Sequence, residues 1–340
     1  MKALRTALLA GSALLATATG AAATEDGLTH VDLGYLAILG GFAPPTGQPY
    51  LRADTNVVLS SRSNDRNGDP VKLDLGTLGR SRVKVLANTS AEVLSFAYVP
   101  DVVLPILDAR VGVAAYTFYA GARAEAQTRI LGRVSGSGET VSGLGDTTFI
   151  PIFLNFDLPK AFLHVNLSPA EFTAPTGRYD RTDPIGANIG LNYISYRPAI
   201  VATYLDPRGH ELDLNASLSF NGTNGATHYT SGDEFGMTFA ALQHVSPGLA
   251  VGVEGYYYRQ FTGDRLDGVE VNTVRPASAF VPFDPLNQGP GNKGQVFAIG
   301  PAVTYNPTPR VATDLRVQHE VFSDNRRQGD VLWAKVSASF

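Results

Sequence analysis

Hydrophobic and polar residues alternate strictly between residues 211 and 221 of this chain. Because neighbouring side chains of a β-strand point to opposite faces, the alternation predicts a strand with one apolar and one polar face. Residues 206–209, Asp-Pro-Arg-Gly, come just before it and are typical of a tight turn, since proline presets φ and glycine accepts a positive φ. We therefore predict a β-hairpin over residues 187–221. Its apolar positions are Leu212, Leu214, Ala216, Leu218 and Phe220.

The same pattern recurs along the chain, and the breaks between strands differ in length. Short turns with proline or glycine are predicted at 100–108, 157–160, 206–209, 246–248 and 306–309. Long polar loops are predicted at 61–82, 124–140, 173–186, 221–229 and 263–292. Counting back from the C-terminus, every short turn falls on the same side. Outer-membrane barrels show this asymmetry, whereas a soluble sandwich has no reason to sort its loops by length.

We therefore predict an all-β fold, a transmembrane antiparallel up-and-down β-barrel of about 12 strands over residues 50–340. Residues 24–49 precede the barrel and are interrupted by Gly-Gly-Phe-Ala-Pro-Pro-Thr-Gly at 40–47. We interpret them as an N-terminal segment able to fold into the barrel as a plug. The alternative is that they add a strand pair, which gives 14 strands, because even numbers are the rule.

Both chain ends favour export to the outer membrane of a Gram-negative bacterium. Residues 1–23 combine Lys2 and Arg5, an apolar stretch and Ala-Ala-Ala at 21–23, which is the pattern of a secretory signal peptide. The last strand, 331–340, alternates and ends on Phe340, an ending that the barrel assembly machinery recognises in outer-membrane proteins. The expected partners are thus outer-membrane lipid and, through Phe340, that machinery.

Composition narrows the function. The chain is 17% charged and 44% hydrophobic, yet its mature part has no apolar run of roughly 18 residues, which argues against membrane-spanning helices. The absence of cysteine excludes disulfides and a lipoprotein anchor. A net charge of -4 without a basic block argues against nucleic acid. The six histidines lack metal-ligand spacing, and we expect no cofactor, no metal and no enzymatic activity.

Strand parity also predicts which side chains face the lumen. Two interpretations remain open for them: a mutually paired wall that supports the barrel, or a constriction that contacts a small solute. Opposite charges on the last two strands are close enough to pair. The candidate solute-contacting residues are Asp213, Glu254, Tyr256, Tyr258, Asp314, Arg316, Glu320, Trp333 and Lys335.

Short motifs in an ordered series resemble a known family. They include Gly-Leu-Gly-Asp at 143–146, Pro-Thr-Gly-Arg-Tyr at 175–179, Asn-Ile-Gly-Leu-Asn at 188–192, Arg-Pro at 197–198, Asn-Gly-Thr-Asn at 221–224 and Gly-Pro at 300–301. The series resembles the outer-membrane transporters named for the meta-pathway of phenol degradation. The resemblance implies a channel for passive uptake of small hydrophobic or aromatic compounds. The alternative is a barrel enzyme, or a structural barrel without transport.

Overall fold

Twelve long antiparallel strands form the wall of this protein, and the last of them pairs with the first. The structure is a computed structural model, which describes residues 27–36, 38–74, 80–130, 133–182, 188–273, 284, 286–308 and 311–339. The predicted signal peptide and the predicted assembly signal at Phe340 lie outside these residues. None of the helices in the described part is long and apolar enough to cross a membrane.

The twelve strands of the wall are numbered in chain order. They are β1 (Pro49–Ser63), β2 (Arg80–Tyr98), β3 (Ala109–Ile130), β4 (Arg133–Leu144 and Thr147–Leu158), β5 (Leu163–Ala174), β6 (Ser195–Leu205), β7 (His210–Asn221), β8 (Glu234–Ser246), β9 (Leu249–Gln260), β10 (Gln295–Thr308), β11 (Val311–Asp324) and β12 (Arg327–Ser339). The remaining elements are short strands at Lys72–Asp74, Val103–Leu104, Tyr229–Thr230, Arg265–Leu266 and Val269–Glu270, and 3-10 turns at Pro159–Ala161 and Pro290–Asn292.

Each strand pairs with its neighbours in sequence, and β1 closes the ring against β12, with Asn56 opposite Trp333. Both segments of β4 pair with β3 on either side of a break at residues 145–146, so they form one interrupted strand. The ring confirms an up-and-down barrel of 12 strands. The 14-strand alternative is wrong, because no strand precedes Pro49 among the described residues.

The predicted hairpin is confirmed. Strands β6 and β7 pair across residues 206–209, where Gly209 adopts a φ of 83°. Its first strand begins at Ser195 rather than at residue 187.

One predicted loop is wrong. Residues 124–140 mostly continue strands β3 and β4, paired out to Ile130 and Arg133. From residue 123 onward the outward-facing residues of β3 are polar: Arg123, Glu125 and Gln127. The apolar alternation therefore ends there although the strand continues. The outward-facing polar residues therefore mark the edge of the membrane-facing part of the wall and not the end of the strand.

Burial alternates along the wall as the parity predicts. On β12, Trp333 is 4% exposed whereas Leu332 is 42% exposed, and the same contrast recurs around the ring. Outward aromatic side chains gather at two heights, the usual positions of the two interfacial girdles of a membrane barrel. Near the long loops they are Phe149, Phe172, Tyr196, Phe220, Phe261 and Phe322, and near the short turns they are Phe96, Phe162 and Tyr305.

The described residues 27–36 and 38–48, here called the lumenal segment, run through the inside of this ring. His30 contacts Ser195 near the long-loop end, and Gly41 contacts Thr203 near the short-turn end. Gly34 has a φ of 75°, which favours glycine, and an added Cβ would lie 2.7 Å from Gln318 Oε1. The chain then leaves the lumen and enters β1 at Pro49.

Candidate functional site

The backbone of the lumenal segment is bound at three heights by polar side chains of the wall. These side chains are buried, so their charges and hydrogen-bonding groups require partners inside the barrel. We call the three groups the upper, middle and lower anchors, starting from the long-loop end.

Arg197 of β6 is the centre of the upper anchor. Its guanidinium donates to Glu171 Oε2 at 2.6 Å and to Asp32 Oδ2 at 2.7 Å, and it also donates to the carbonyl oxygen of His30 and to the Tyr116 hydroxyl oxygen. The Tyr116 hydroxyl donates to Asp32 Oδ2 at 2.9 Å. One cation of the wall is thus shared between a wall carboxylate and the carboxylate of the segment.

The middle anchor is a charge network on β1, β9, β11 and β12. Arg316 lies 3.0 Å from Glu254 and 2.8 Å from Asp314, and its guanidinium donates to the carbonyl oxygen of Gly34. Asp314 contacts Arg316 through Oδ1 and pairs with Lys335 through Oδ2. The network includes three cations and three carboxylates, which are Arg52, Arg316, Lys335, Asp54, Glu254 and Asp314.

Arg52 links this network to the lumenal segment a second time. Its guanidinium holds Asp54 through two hydrogen bonds of 2.7 Å and donates to the carbonyl oxygen of Tyr35 at 2.6 Å. It also lies 4.6 Å from the centre of the Tyr35 ring, a cation–π distance.

Carboxylates form most of the lower anchor. The Leu39 amide donates to Glu211 Oε1 at 3.2 Å and to Asp213 Oδ1 at 3.1 Å. Nearby, the Gly41 amide donates to Thr203 Oγ1 at 3.0 Å, and a Cβ on Gly41 would lie 2.3 Å from the carbonyl oxygen of His164. Only glycine allows the chain to approach the wall this closely.

Two of the cavities that the described residues enclose lie beside the lumenal segment. The inner cavity, at the short-turn end, has a volume of about 740 Å³. The outer cavity, at the long-loop end, has about 340 Å³. Apolar side chains cover much of the outer cavity, although inward positions of membrane barrels are ordinarily polar. They include Val58, Leu86, Val93, Phe118, Ile189, Leu191, Val331 and Trp333.

All nine sequence-predicted residues are buried inside the barrel, but they divide between two environments. Tyr256, Glu320 and Trp333 line the outer cavity, and Lys335 lines the inner one. The other five, Asp213, Glu254, Tyr258, Asp314 and Arg316, line neither of these cavities and bind one another, other wall residues or the lumenal segment. Contact of the nine with a solute stays a prediction.

Sequence reasoning missed Asp32, Tyr35, Tyr116, Glu171 and Arg197. Parity could have assigned Arg197, which shares its parity on β6 with the buried Ser195 and Thr203, but a register shift between Ser168 and Glu171 reverses the parity of β5 before Glu171. No local pattern marks Asp32 or Tyr35, since their places depend on how the lumenal segment threads through the ring.

Several motifs of the resemblance meet at the Asp146 carboxylate. It accepts the Gly177 amide at 2.8 Å and the Leu191 amide at 2.7 Å. An added Cβ on Gly190 would lie 2.8 Å from both Asp146 Oδ1 and the Gly177 Cα atom. Gly177 and Gly190 therefore allow two loop segments to pack around a buried carboxylate, which is a structural role.

The same carboxylate completes a serine–histidine–aspartate contact. His30 Nε2 lies 2.9 Å from Asp146 Oδ2, and His30 Nδ1 lies 2.6 Å from Ser195 Oγ. The Ser195 hydroxyl donates its proton to Asn221 Oδ1 at 2.7 Å, so His30 cannot accept that proton. Ser195 is 1% exposed and lines neither of the two cavities. The contact therefore holds the lumenal segment and lacks the exposed nucleophile that hydrolysis needs.

Among the described residues, no group of three or more His, Cys, Asp and Glu side chains is placed to hold a metal ion. The Asp-Arg-Asn-Gly-Asp stretch at 65–69 is a loop organised by Asp65, whose carboxylate accepts the Asn67 amide at 2.9 Å and the side-chain amide of Asn287 at 2.8 Å.

Several solved structures are similar to this chain. The COG4313 outer membrane channel from Pseudomonas putida F1 is 15% identical, with a TM-score of 0.60 over 92% of this chain and 100% of that one. The transport unit of the autotransporter AIDA-I from Escherichia coli is 8% identical, with a TM-score of 0.44 over 96% and 97% of the two chains. The CymD monoaromatic hydrocarbon channel is 11% identical, with a TM-score of 0.38 over 87% and 88%.

A search of the curated proteins found no match. A family model described as "Putative MetA-pathway of phenol degradation" matches residues 60–336, which is most of the chain and includes β2 to β11 completely. The chain therefore belongs to this family of the phenol-degradation pathway, as the ordered motifs from residue 143 onward predicted.

Proposed function

We propose that this protein is an outer-membrane channel for passive uptake of small hydrophobic or aromatic compounds. The observation that carries the proposal is the set of apolar side chains that lines the outer cavity inside the barrel. The about 340 Å³ of this cavity is within the range of small-molecule sites. The family description, which refers to phenol degradation, and the P. putida relative, an outer membrane channel, support the same function.

The electrostatics of the lumen favour uncharged solutes. Arg52, Arg197, Arg316 and Lys335 each pair with a carboxylate, so none of the four offers an uncompensated charge to an anion. Beside the apolar side chains of the outer cavity an ion would lose hydration, whereas an aromatic ring would gain apolar contacts. We propose on the same grounds that the lumenal segment acts as a plug that narrows the path and divides the lumen.

The uptake proposal is tested by comparing cells that contain the protein with cells that lack it. Radiolabelled toluene at limiting concentration should enter faster when the protein is present, and benzoate, a charged compound of similar size, should gain less. Equal toluene uptake in both cell types would contradict the proposal. Equal acceleration of the two solutes, with high single-channel conductance, would indicate a general porin instead.

We also propose that outer-membrane lipid covers the outward apolar side chains and that the assembly machinery recognises Phe340. Replacing Leu332, which faces outward in the middle of β12, by arginine should cost about 2–4 kcal/mol of folding free energy, because the guanidinium would enter hydrocarbon. Unfolding by urea in lipid vesicles measures this loss. The matched control is Gln127→Arg on the polar extension of β3, which should leave stability unchanged. Equal stability of the two variants would argue against a lipid covering.

A further inference from the structure

The two lumenal cavities meet at a narrow set of side chains. Among the described residues, only Asp32, Tyr35 and Tyr116 line both the inner and the outer cavity. Two of the three belong to the lumenal segment, and the third belongs to β3. Any solute that crosses from one cavity to the other by the direct route must pass these groups.

Asp32 is the fixed member of this set. Its carboxylate accepts hydrogen bonds from Arg197 at 2.7 Å and from the Tyr116 hydroxyl at 2.9 Å. Moving it would separate an ion pair whose cation is 2% exposed at its side chain, which is unfavourable in a buried site. The upper anchor therefore holds Asp32 in place.

The two tyrosines form an aromatic contact across the gap. Their ring centres are 5.3 Å apart at an angle of 42°, within the range of attractive ring pairs. The Tyr35 ring also contacts Trp333, with ring centres 6.1 Å apart, and its hydroxyl contacts the Ser95 hydroxyl on β2. The barrier between the cavities therefore consists of ring faces held at their rims by hydroxyl groups.

Side-chain rotation is the least disruptive way to open this barrier. Withdrawing the lumenal segment would break hydrogen bonds at all three anchors, including those of Gly34, Tyr35, Leu39 and Gly41. Rotating one tyrosine breaks the hydrogen bonds of its hydroxyl and the contacts of its ring, which for Tyr35 include the cation–π contact with Arg52, but it keeps the backbone of the segment bound. Ring faces can also exchange their mutual contact for contact with a flat apolar solute, which a hydrated ion cannot use.

From this geometry we infer that Tyr35 and Tyr116 form the selectivity gate between the two cavities. Their side chains rotate to admit a solute while the backbone of the lumenal segment stays bound, and the two rings set the width of the solute that passes. The inference rests on the proposed function, because it assigns the step at which that channel discriminates among neutral ring compounds.

Truncation of the gate should relax discrimination by width. In cells that contain the protein, Tyr116→Ala should increase entry of naphthalene severalfold more than entry of toluene, and the purified variant should have a higher single-channel conductance. Tyr116→Phe keeps the ring and loses the hydroxyl bonds, so it should give a smaller rise with the width preference retained. Tyr50→Ala, which enlarges only the inner cavity, is the matched control and should preserve the preference.

Tyr35→Ala tests the same barrier without changing the wall, and it replaces Tyr116→Ala if that variant does not fold. Unchanged conductance and unchanged width preference in both alanine variants would overturn the gate. Raised conductance, with toluene entry in every variant no faster than in cells that lack the protein, would support the gate and contradict the proposed function, so the two failures are distinguishable. Normal electrophoretic migration of the folded barrel is the folding control.

Discussion

Replacing Arg316 by alanine should lower the free energy of unfolding of the barrel by about 3–5 kcal/mol, the usual cost of removing one partner from a buried ion pair. Arg316 is 1% exposed and is the guanidinium nearest to the buried Glu254. Without it, Glu254 loses its cation, Asp314 keeps only Lys335, and the carbonyl oxygen of Gly34 loses a donor. Urea unfolding in lipid vesicles, followed by tryptophan fluorescence, measures the change.

Two control variants distinguish the stability effect of this buried network from that of a surface ion pair. Arg123→Ala removes the exposed pair with Glu125 and should leave the unfolding midpoint unchanged, because exposed pairs contribute little. Adding Glu254→Gln to Arg316→Ala should recover part of the lost stability, since it removes the carboxylate left without a cation. If Arg316→Ala unfolds at the same urea concentration as the original protein, the paired-wall interpretation of these charges is wrong.

Strand parity predicted the wall of this protein well, because each wall residue has only two choices of face. The alternation on β7, β9 and β12 predicted the burial of Asp213, Tyr256 and Trp333 without any knowledge of their partners. Strand number followed from turn chemistry, which is local as well. The prediction was wrong where outward-facing residues are polar, because the alternation that marks a strand is then lost. This is the case in the polar extension of β3 and β4 beyond the membrane-facing part of the wall.

The interior of the barrel could not be predicted in the same way. The sequence offered both a paired wall and a solute-contacting constriction, and parity cannot separate them because both put charges inside. The pairing of Arg316 with Glu254 joins residues 62 positions apart on strands that are not neighbours in the ring. The contacts of Tyr35 depend on the path of a segment without periodic pattern, and such a path is set by the completed barrel.

Deleting residues 30–42 should raise single-channel conductance severalfold while leaving the barrel folded. None of the described residues in this range belongs to the strand ladder, so the ring can close without them. A barrel of twelve strands lies between the small barrels that side chains fill and the larger ones that enclose an aqueous channel. Removing the chain that crosses its lumen should therefore leave a continuous path for water. Planar-bilayer recordings of the purified protein measure the change.

A Gly-Ser stretch of equal length in place of residues 30–42 is the matched control. It keeps the tether but loses the side chains of His30, Asp32 and Tyr35, so it should conduct nearly as well as the deletion. Closed recordings from both variants would show that the loops, not the lumenal segment, limit passage. Failure of both to fold would show that Arg197, Arg52 and Arg316 need the segment's backbone to satisfy their hydrogen bonds, and the segment would then be part of the barrel core.

The gate formed by Tyr35 and Tyr116 requires the segment to stay bound. A conducting deletion that also loses the preference for toluene over naphthalene therefore places selectivity on the segment. A conducting deletion that retains this preference places selectivity on the wall.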